Sequence, residues 1–249
     1  MWNGLLAQFP STPQPCLLCD LPSTERLCPG CRFQLPYLTR YRHRCSLCAL
    51  PLNTDSHYCG HCLQEPPPFE RCRLACSYEF PLDHLIHAFK YQRQLTAGRA
   101  LSELLIEHLQ AERQDTDETD WPDLLVPVPM HWSRRFQRGF NQTELLAKDL
   151  GRALSVPVRS RLCRRRHRTR AQQGLTRTAR IHNLRDAFEL RPNAPGTLSE
   201  KRVALVDDVV TTTSTVRALS RLLKNAGAAS VEVWAIARTP EAELTKALP

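Results

Sequence analysis

Two adjacent carboxylates followed by five hydroxyl residues form the part of the sequence whose chemistry is easiest to interpret. The carboxylates are Asp207 and Asp208, and the hydroxyl residues occupy positions 211–215, here called the hydroxyl loop. Hydroxyls and backbone N–H groups can surround a phosphate, whereas paired carboxylates can accept hydrogen bonds from two vicinal ribose hydroxyls. The order of these residues predicts a loop that binds both ends of ribose 5-phosphate.

The flanking residues predict that this loop joins a strand to a helix. Residues 203–206 are apolar without alternation, as in a buried strand of a parallel sheet, and Val216, Leu219 and Leu223 recur at helical spacing. At such a junction the strand's carboxyl end meets the positive end of a helix, where an anion can bind. A Rossmann-like loop for Mg²⁺ or a nucleotide is the alternative interpretation.

Four Cys-x-x-Cys pairs precede the prolines at 66–68 and predict two tetrahedral zinc sites. Zinc prefers four thiolates in closed structural sites, so these sites are expected to support folding and docking and not catalysis. Consecutive pairing is the simplest arrangement, and interleaved pairing stays open. Cys72, Cys76 and Cys163 are expected to be buried thiols. The predicted ligands are Cys16, Cys19, Cys28, Cys31, Cys45, Cys48, Cys59 and Cys62.

Composition narrows the class of protein and of partner. The chain has 249 residues, 42% of them hydrophobic, and a net charge of +9. It contains no apolar stretch of about 18 residues, and its start lacks a basic region followed by an apolar run, so we expect a cytoplasmic protein without a membrane span. Residues 159–185 contain ten arginines and no carboxylate. Pyrophosphate and nucleic acid are the expected partners of this segment, chiefly through Arg164, Arg165, Arg166, Arg168 and Arg170.

The remaining elements predict an α/β fold, with a parallel sheet covered by helices on both faces. Asn141 and Glu144 resemble a capping box that opens a helix. Pro127 and Pro129 predict an irregular end for one strand, since proline removes N–H donors. Strands are predicted at 73–80, 123–130, 156–162 and 231–237, and helices at 81–90, around Leu101 to Leu109 and from Asn141 to Leu154.

The acid pair and the hydroxyl loop resemble the binding loop of type I phosphoribosyltransferases, which use phosphoribosyl pyrophosphate (PRPP) and Mg²⁺. The resemblance implies that Asp207 and Asp208 hold the ribose, and that the hydroxyl loop holds the 5′-phosphate. That family usually has Gly where this chain has Thr213, and a β-branched residue suits positive φ poorly. The implied PRPP-binding residues are Asp207, Asp208, Val209, Val210, Thr211, Thr212, Thr213, Ser214 and Thr215.

Further motifs resemble the ComF/GntX family. They are the Arg134-Arg135 pair with the residues at 138–142, the stretch 169–175, Arg180 with Asn183, and the cysteine pairs. The resemblance implies a double Cys₄ zinc-binding module at 1–66, a phosphoribosyltransferase-like domain at 67–249, and association with competence and the use of external DNA. It also implies Arg134 and Arg135 beside the pyrophosphate as catalytic residues, together with the acid pair, and a mobile lid around 168–174.

Two functions are compatible with these features. In the first, the protein is a Mg²⁺-dependent phosphoribosyltransferase. In the second, it is a non-catalytic protein that binds single-stranded DNA, with PRPP or a nucleotide as effector and with proteins of a DNA-uptake machinery as partners. Trp132, Phe136 and Phe140 are candidates for stacking on bases.

Overall fold

A computed structural model describes residues 12–114, 121–166, 187–192 and 194–241. The strands are β1 (Gln14–Pro15), β2 (Pro22–Ser23), β3 (Cys72–Ser77), β4 (Leu124–Pro127), β5 (Cys163–Arg165), β6 (Phe188–Leu190), β7 (Arg202–Val210) and β8 (Ser230–Arg238). The helices are α1 (Pro29–Phe33), α2 (Gly60–Gln64), α3 (Leu82–Tyr91), α4 (Leu95–Gln114), α5 (Trp132–Arg138), α6 (Gln142–Leu154), α7 (Ala194–Leu198) and α8 (Ser214–Asn225), with a 3₁₀ helix at Leu38–Arg40.

Four parallel strands form the central sheet in the order β3-β8-β7-β4. Leu205 of β7 lies opposite Val233 of β8 on one side and Val126 of β4 on the other. Because all four strands run in one direction, their carboxyl ends meet at one edge of the sheet. The predicted fold class is confirmed, and this edge is where the loops after β3, β4, β7 and β8 converge.

Both faces of the sheet are buried, which explains the unalternating apolar run in β7. Val203 and Leu205 pack into a core that includes α7 and α8, whereas Ala204 and Val206 pack into a second core with α3, α4 and α6. All four side chains are almost completely shielded from solvent. Among the helices that the structure describes, none combines the length and apolar character needed to cross a lipid bilayer.

One predicted strand is absent, and other strands end at residues different from those predicted: β3 ends at Ser77, β4 ends at Pro127, and β7 continues beyond 206. Residues 156–162 do not form a strand, because Pro157 has no N–H to donate to a ladder. The segment makes a single bridge to β4, in which Leu125 N donates to Pro157 O and Arg159 N donates to Leu125 O, both at 2.8 Å. Instead β5 pairs antiparallel with β6 in a separate sheet. Strand β7 extends to Val210, so the acid pair lies within the strand.

The predicted capping box at the start of α6 is also absent. Asn141 occupies the N-cap position, but its Oδ1 accepts a hydrogen bond from the Thr143 hydroxyl at 2.9 Å and not from the backbone of α6. Glu144 lies beside Arg135 and Lys148, at 3.5 and 3.3 Å. The Glu144 carboxylate therefore forms ion pairs at the helix surface, and Asn141 makes no side-chain hydrogen bond that caps α6.

The cysteine-rich region packs on both faces of the sheet. Cys16 and Leu35 join the core of α3, α4 and α6, whereas Cys45, Cys48 and Leu50 join the core of α7 and α8. Ser77 N of β3 donates to Pro36 O at 2.7 Å, where the chain crosses the sheet edge between the two clusters. The division at residue 66 stays a prediction, and within the described residues the two parts share their apolar cores.

Candidate sugar-phosphate site

The acid pair lies at the carboxyl edge of the sheet, where the two carboxylates have different neighbours. Successive side chains of a strand point to opposite faces. Asp208 Oδ1 lies 3.0 Å from Lys90 Nζ, at the end of α3, in a pair that is largely buried. Asp207 Oδ1 accepts a hydrogen bond from Asp208 N at 2.9 Å, and its charge interacts with that of Arg165. The site is therefore asymmetric, with one acid neutralised by a lysine and the other facing the arginine-rich segment.

Burial changes the charge state of these groups. Burial, with the neighbouring charge of Asp208, raises the pKa of Asp207 to about 7, although Asp208 N–H, Lys90 and Arg165 act in the opposite direction. Burial alone would lower the pKa of Lys90, but Asp208, together with the charges of Asp207 and Tyr78, outweighs it and raises this pKa above its usual value. At neutral pH, Lys90 is therefore charged, and Asp207 is divided between its neutral and ionised forms.

The hydroxyl loop leads directly into the positive end of α8. Thr213 has φ 61° and ψ −4°, in the left-handed region that a β-branched residue rarely occupies, so the backbone at this position keeps a conformation that Gly would adopt without strain. The first bond of the helix runs from Arg217 N to Thr213 O at 2.8 Å. The N–H groups of the preceding first turn are thus available to an anion. Thr211 and Thr212 are exposed, and the Thr212 and Ser214 hydroxyls lie 2.8 Å apart.

Arg134 and Arg165 add positive charge on the side of Asp207. Burial, followed by the charge of Arg134, lowers the pKa of Arg165, while Asp207 raises it, so the three charges interact at one place. Arg134 belongs to α5, which Gly139 ends in a left-handed conformation with φ 82°. The structure thus brings Asp207, Asp208, Arg134 and Arg165 to one edge, together with Lys90.

Other predicted residues are directed away from this edge. Arg135 pairs with Glu144 at 3.5 Å, and Arg164 and Arg166 both pair with Glu189 of β6. Successive side chains of β5 point to opposite sides, so Arg165 is separated from Arg164 and Arg166. The arginines predicted to bind pyrophosphate or nucleic acid therefore do not form one surface here. Arg168 and Arg170 lie outside the described residues, as do Gln172, Gly174, Leu175, Arg180 and Asn183.

The eight predicted metal ligands form two compact clusters by consecutive pairing, which excludes the interleaved alternative. The first cluster is Cys16, Cys19, Cys28 and Cys31, and the second is Cys45, Cys48, Cys59 and Cys62; in each, the four sulfurs lie within 4.8 Å of one another. Cys19 and Cys28 sulfurs are 3.7 Å apart, and Cys48 and Cys59 sulfurs 3.6 Å. A tetrahedral zinc ion with Zn–S bonds of about 2.3 Å requires a separation of roughly 3.8 Å. The thiols are free, so both clusters fit structural zinc.

Two arginines that the sequence analysis missed connect the second cluster with the hydroxyl loop. Arg217 contacts Thr213 and Glu65, and Arg238 contacts Val210 and Cys48. Weak signals for both exist in the sequence: Arg217 lies one helical turn after Thr213, and Arg238 is a charged residue directly after an apolar strand. The pairing of Lys90 with Asp208 was not predicted from the sequence.

Comparison with known proteins agrees with this geometry. Residues 143–247 match the family described as Phosphoribosyl transferase domain. Competence protein F of Haemophilus influenzae is 35% identical over 215 residues, which cover 85% of this chain and 90% of that protein. The chain belongs to the ComF family.

Other ComF relatives cover similar parts of the chain. The DNA utilization protein YhgH of Escherichia coli K12 is 42% identical over 197 residues, covering 78% of this chain and 84% of that protein. Competence protein ComFC of Bacillus subtilis is 25% identical over 248 residues, covering 90% and 95%. The predicted family is confirmed, and the matched domain contains β7, the hydroxyl loop and α8.

Proposed function

We propose that this ComF protein binds PRPP, or a related sugar phosphate, together with Mg²⁺ at the carboxyl edge of its sheet, and acts in the cytoplasm in competence or DNA utilisation. The observation that carries the proposal is the convergence of an acid pair, a hydroxyl loop at a helix N-terminus, and the cations Lys90, Arg134 and Arg165. The biological role follows from the names of the H. influenzae and E. coli relatives.

Each group has a role that its chemistry suits. Asp207 and Asp208 accept hydrogen bonds from the ribose hydroxyls, and the first turn of α8 with the hydroxyl loop donates to the 5′-phosphate. Arg134 and Arg165 face the pyrophosphate, because the planar guanidinium matches its oxygens. Mg²⁺ supplies charge neutralisation on the pyrophosphate when it is bound. If an acceptor attacks, its bond to the anomeric carbon forms as the bond to the pyrophosphate oxygen breaks.

Calorimetry tests the binding site. PRPP with Mg²⁺ is titrated into the wild type, the double variant Asp207→Asn/Asp208→Asn, and the control Asp55→Asn, which removes a surface carboxylate that pairs with His43. We expect the double variant to bind about 100-fold more weakly, since two hydrogen bonds to charged acceptors are weakened. The control should match the wild type. Absence of binding to the wild type, or equal binding by the double variant, would contradict the proposal.

A second function, binding of single-stranded DNA, is favoured by the surface of α5. Trp132 and Phe136 are 73% and 85% exposed, one helical turn apart, and Arg134 and Arg135 lie between them. Arg138 follows, with its guanidinium 4.9 Å from the Tyr91 ring centroid. Exposed aromatic rings interspersed with arginines suit bases and phosphates of a single strand. Phe140 is different, because it stacks on Phe89 and is part of the packing.

Affinity for a single-stranded oligonucleotide, measured against salt concentration, tests this second function. Trp132→Ala/Phe136→Ala should weaken binding about 10- to 100-fold through lost stacking, with an unchanged salt dependence. Arg135→Gln should reduce the salt slope by about one charge. The control is Phe33→Ala, which removes a ring that is 76% exposed on α1. An α5 double variant that binds like the control would exclude α5 as the contact.

A further inference from the structure

We propose that Arg217 and Arg238 are positioning residues that hold the hydroxyl loop on the second cysteine cluster, so that metal occupancy of this cluster sets the affinity of the loop for a sugar phosphate. The identity of the ligand rests on the proposed function. The mechanical connection between cluster and loop does not.

Arg217 joins the loop to the chain that follows the last ligand. Its Nε donates to Thr213 Oγ1 at 2.9 Å, on the residue with the left-handed backbone. Its Nη2 donates to Glu65 O at 2.8 Å and lies 4.0 Å from the sulfur of Cys62. One planar guanidinium thus contacts the loop on one side and the cluster on the other, and its rigid fork fixes the distance between them.

Arg238 makes the same kind of connection from the end of β8. Its Nε donates to Cys48 O at 3.0 Å, and its Nη2 lies 4.0 Å from the Cys48 sulfur. Its Nη1 donates to Val210 O at 3.1 Å and also to Thr211 O, at the start of the loop. Because Arg238 is only 3% exposed, solvent does not compete for these bonds.

The charges of the two sides are complementary. Four thiolates around one divalent ion carry a net charge of about −2, which the two adjacent guanidinium groups balance. A buried charge needs such a partner, since an unpaired buried cation is strongly destabilising. Loss of the metal would remove both the fixed sulfur positions and the anionic partner of the arginines. The loop would then lose two of its attachments at once.

The first cluster provides an internal control, since it has the same ligands and different arginines. Arg26 pairs with Glu103 at 2.5 Å and Arg32 pairs with Glu107, both on α4. Within the part of the chain that the structure describes, no hydrogen bond joins this cluster to the hydroxyl loop. Metal loss from the first cluster is therefore expected to leave the loop unchanged.

Hydrogen exchange of the zinc-loaded full-length protein tests the connection without any ligand. The measured quantity is the exchange rate of amides at 209–216 in Arg217→Gln and Cys62→Ser. The control for the arginine is Arg221→Gln, one turn further along α8, which also lies near Glu65, at 3.9 Å, and does not contact the loop. The control for the cysteine is Cys19→Ser in the first cluster. Zinc content is determined for each variant by elemental analysis.

We expect exchange to rise about tenfold in Arg217→Gln and in Cys62→Ser, and to change by less than about twofold in both controls. If Cys62→Ser does not fold, the comparison of Arg217→Gln with Arg221→Gln still tests the attachment of the loop by Arg217. Unchanged exchange in Arg217→Gln or in folded Cys62→Ser, or an equal increase in the matched control, would overturn the inference.

Calorimetry with ribose 5-phosphate separates this inference from the proposed function. Arg217→Gln should bind about tenfold more weakly than the wild type and Arg221→Gln about equally. Faster exchange in a protein whose wild type does not bind ribose 5-phosphate would reject the proposed ligand and leave the connection standing. Normal binding and normal exchange in Arg217→Gln would reject the connection and leave the ligand standing.

Discussion

The two cysteine clusters have the same ligands at nearly the same spacing, yet they lie in different surroundings. Cys19 of the first cluster is exposed and Cys28 and Cys31 are half-buried, whereas all four cysteines of the second cluster are buried. The first cluster is tied to α4 by ion pairs at the surface, and the second lies in the core beneath the hydroxyl loop. The spacing of the cysteines determines which residues can bind a metal. The contacts around each cluster determine which part of the protein the bound metal stabilises.

The largest difference is expected in thermal stability. Cys45→Ser removes a ligand from the buried cluster and leaves the apolar core around it without its crosslink, whereas Cys19→Ser affects the exposed cluster. We expect the Tm to fall by about 10 °C or more in Cys45→Ser and by only a few degrees in Cys19→Ser, measured by scanning calorimetry with zinc present. Equal decreases would show that burial does not distinguish the clusters.

A smaller effect is expected from the acid beside the hydroxyl loop. The pKa of Asp207 is raised to about 7, so the folded protein holds a proton that the unfolded chain has lost above about pH 4. Its contribution to stability is therefore fully present below about pH 4 and is lost progressively as the pH rises from about 4 through 7. Asp207→Asn removes the cost of burying the ionised form.

We expect Asp207→Asn to increase the free energy of unfolding by about 1 to 2 kcal/mol at pH 8.5, allowing for partial solvent screening, and to change it little at about pH 4. Urea unfolding at both values measures this difference, with Asp55→Asn as the exposed control. The same gain at pH 4 and pH 8.5 would mean that charge is not the cause.

The smallest effect is expected from the ion pairs beside the first cluster. Glu103 and Glu107 pair with Arg26 and Arg32 where water screens the charges, so Glu103→Gln/Glu107→Gln should cost only about 0.5 to 1 kcal/mol. Urea unfolding at low salt and in about 1 M salt should show this cost disappearing at the higher ionic strength. A cost that persists in high salt would show that these pairs are not screened as their exposure indicates.

Local chemistry made much of the fold predictable. The unalternating run at 203–206 predicted a strand buried on both faces, and the strand predicted at 231–237 was confirmed as β8. The cysteine spacing predicted the eight ligands, with consecutive pairing as the simplest arrangement, because each Cys-x-x-Cys turn presents two sulfurs to one ion. These features depend on neighbours within a few residues.

Contacts between distant residues could not be predicted in the same way. Arg217 meets Glu65, which lies 152 residues earlier in the chain, and no periodicity relates the two. The face on which each cluster packs follows from the path of the whole chain. The capping box failed for a related reason: Glu144 lies 3.5 Å from Arg135 on the preceding helix, a contact that the local capping pattern does not specify. The hydroxyl loop of the candidate site could thus be predicted from the sequence, whereas the contacts that Arg217, Arg238 and Lys90 make around it could not.

A crystal structure of the zinc-loaded protein with PRPP and Mg²⁺ tests the central claim most directly. We expect the 5′-phosphate to lie within hydrogen-bonding distance of the N–H groups of the first turn of α8. The ribose hydroxyls should contact Asp207 and Asp208, and the pyrophosphate should lie toward Arg134 and Arg165. A ligand bound elsewhere, with the hydroxyl loop and the acid pair making no contact to it, would contradict the account.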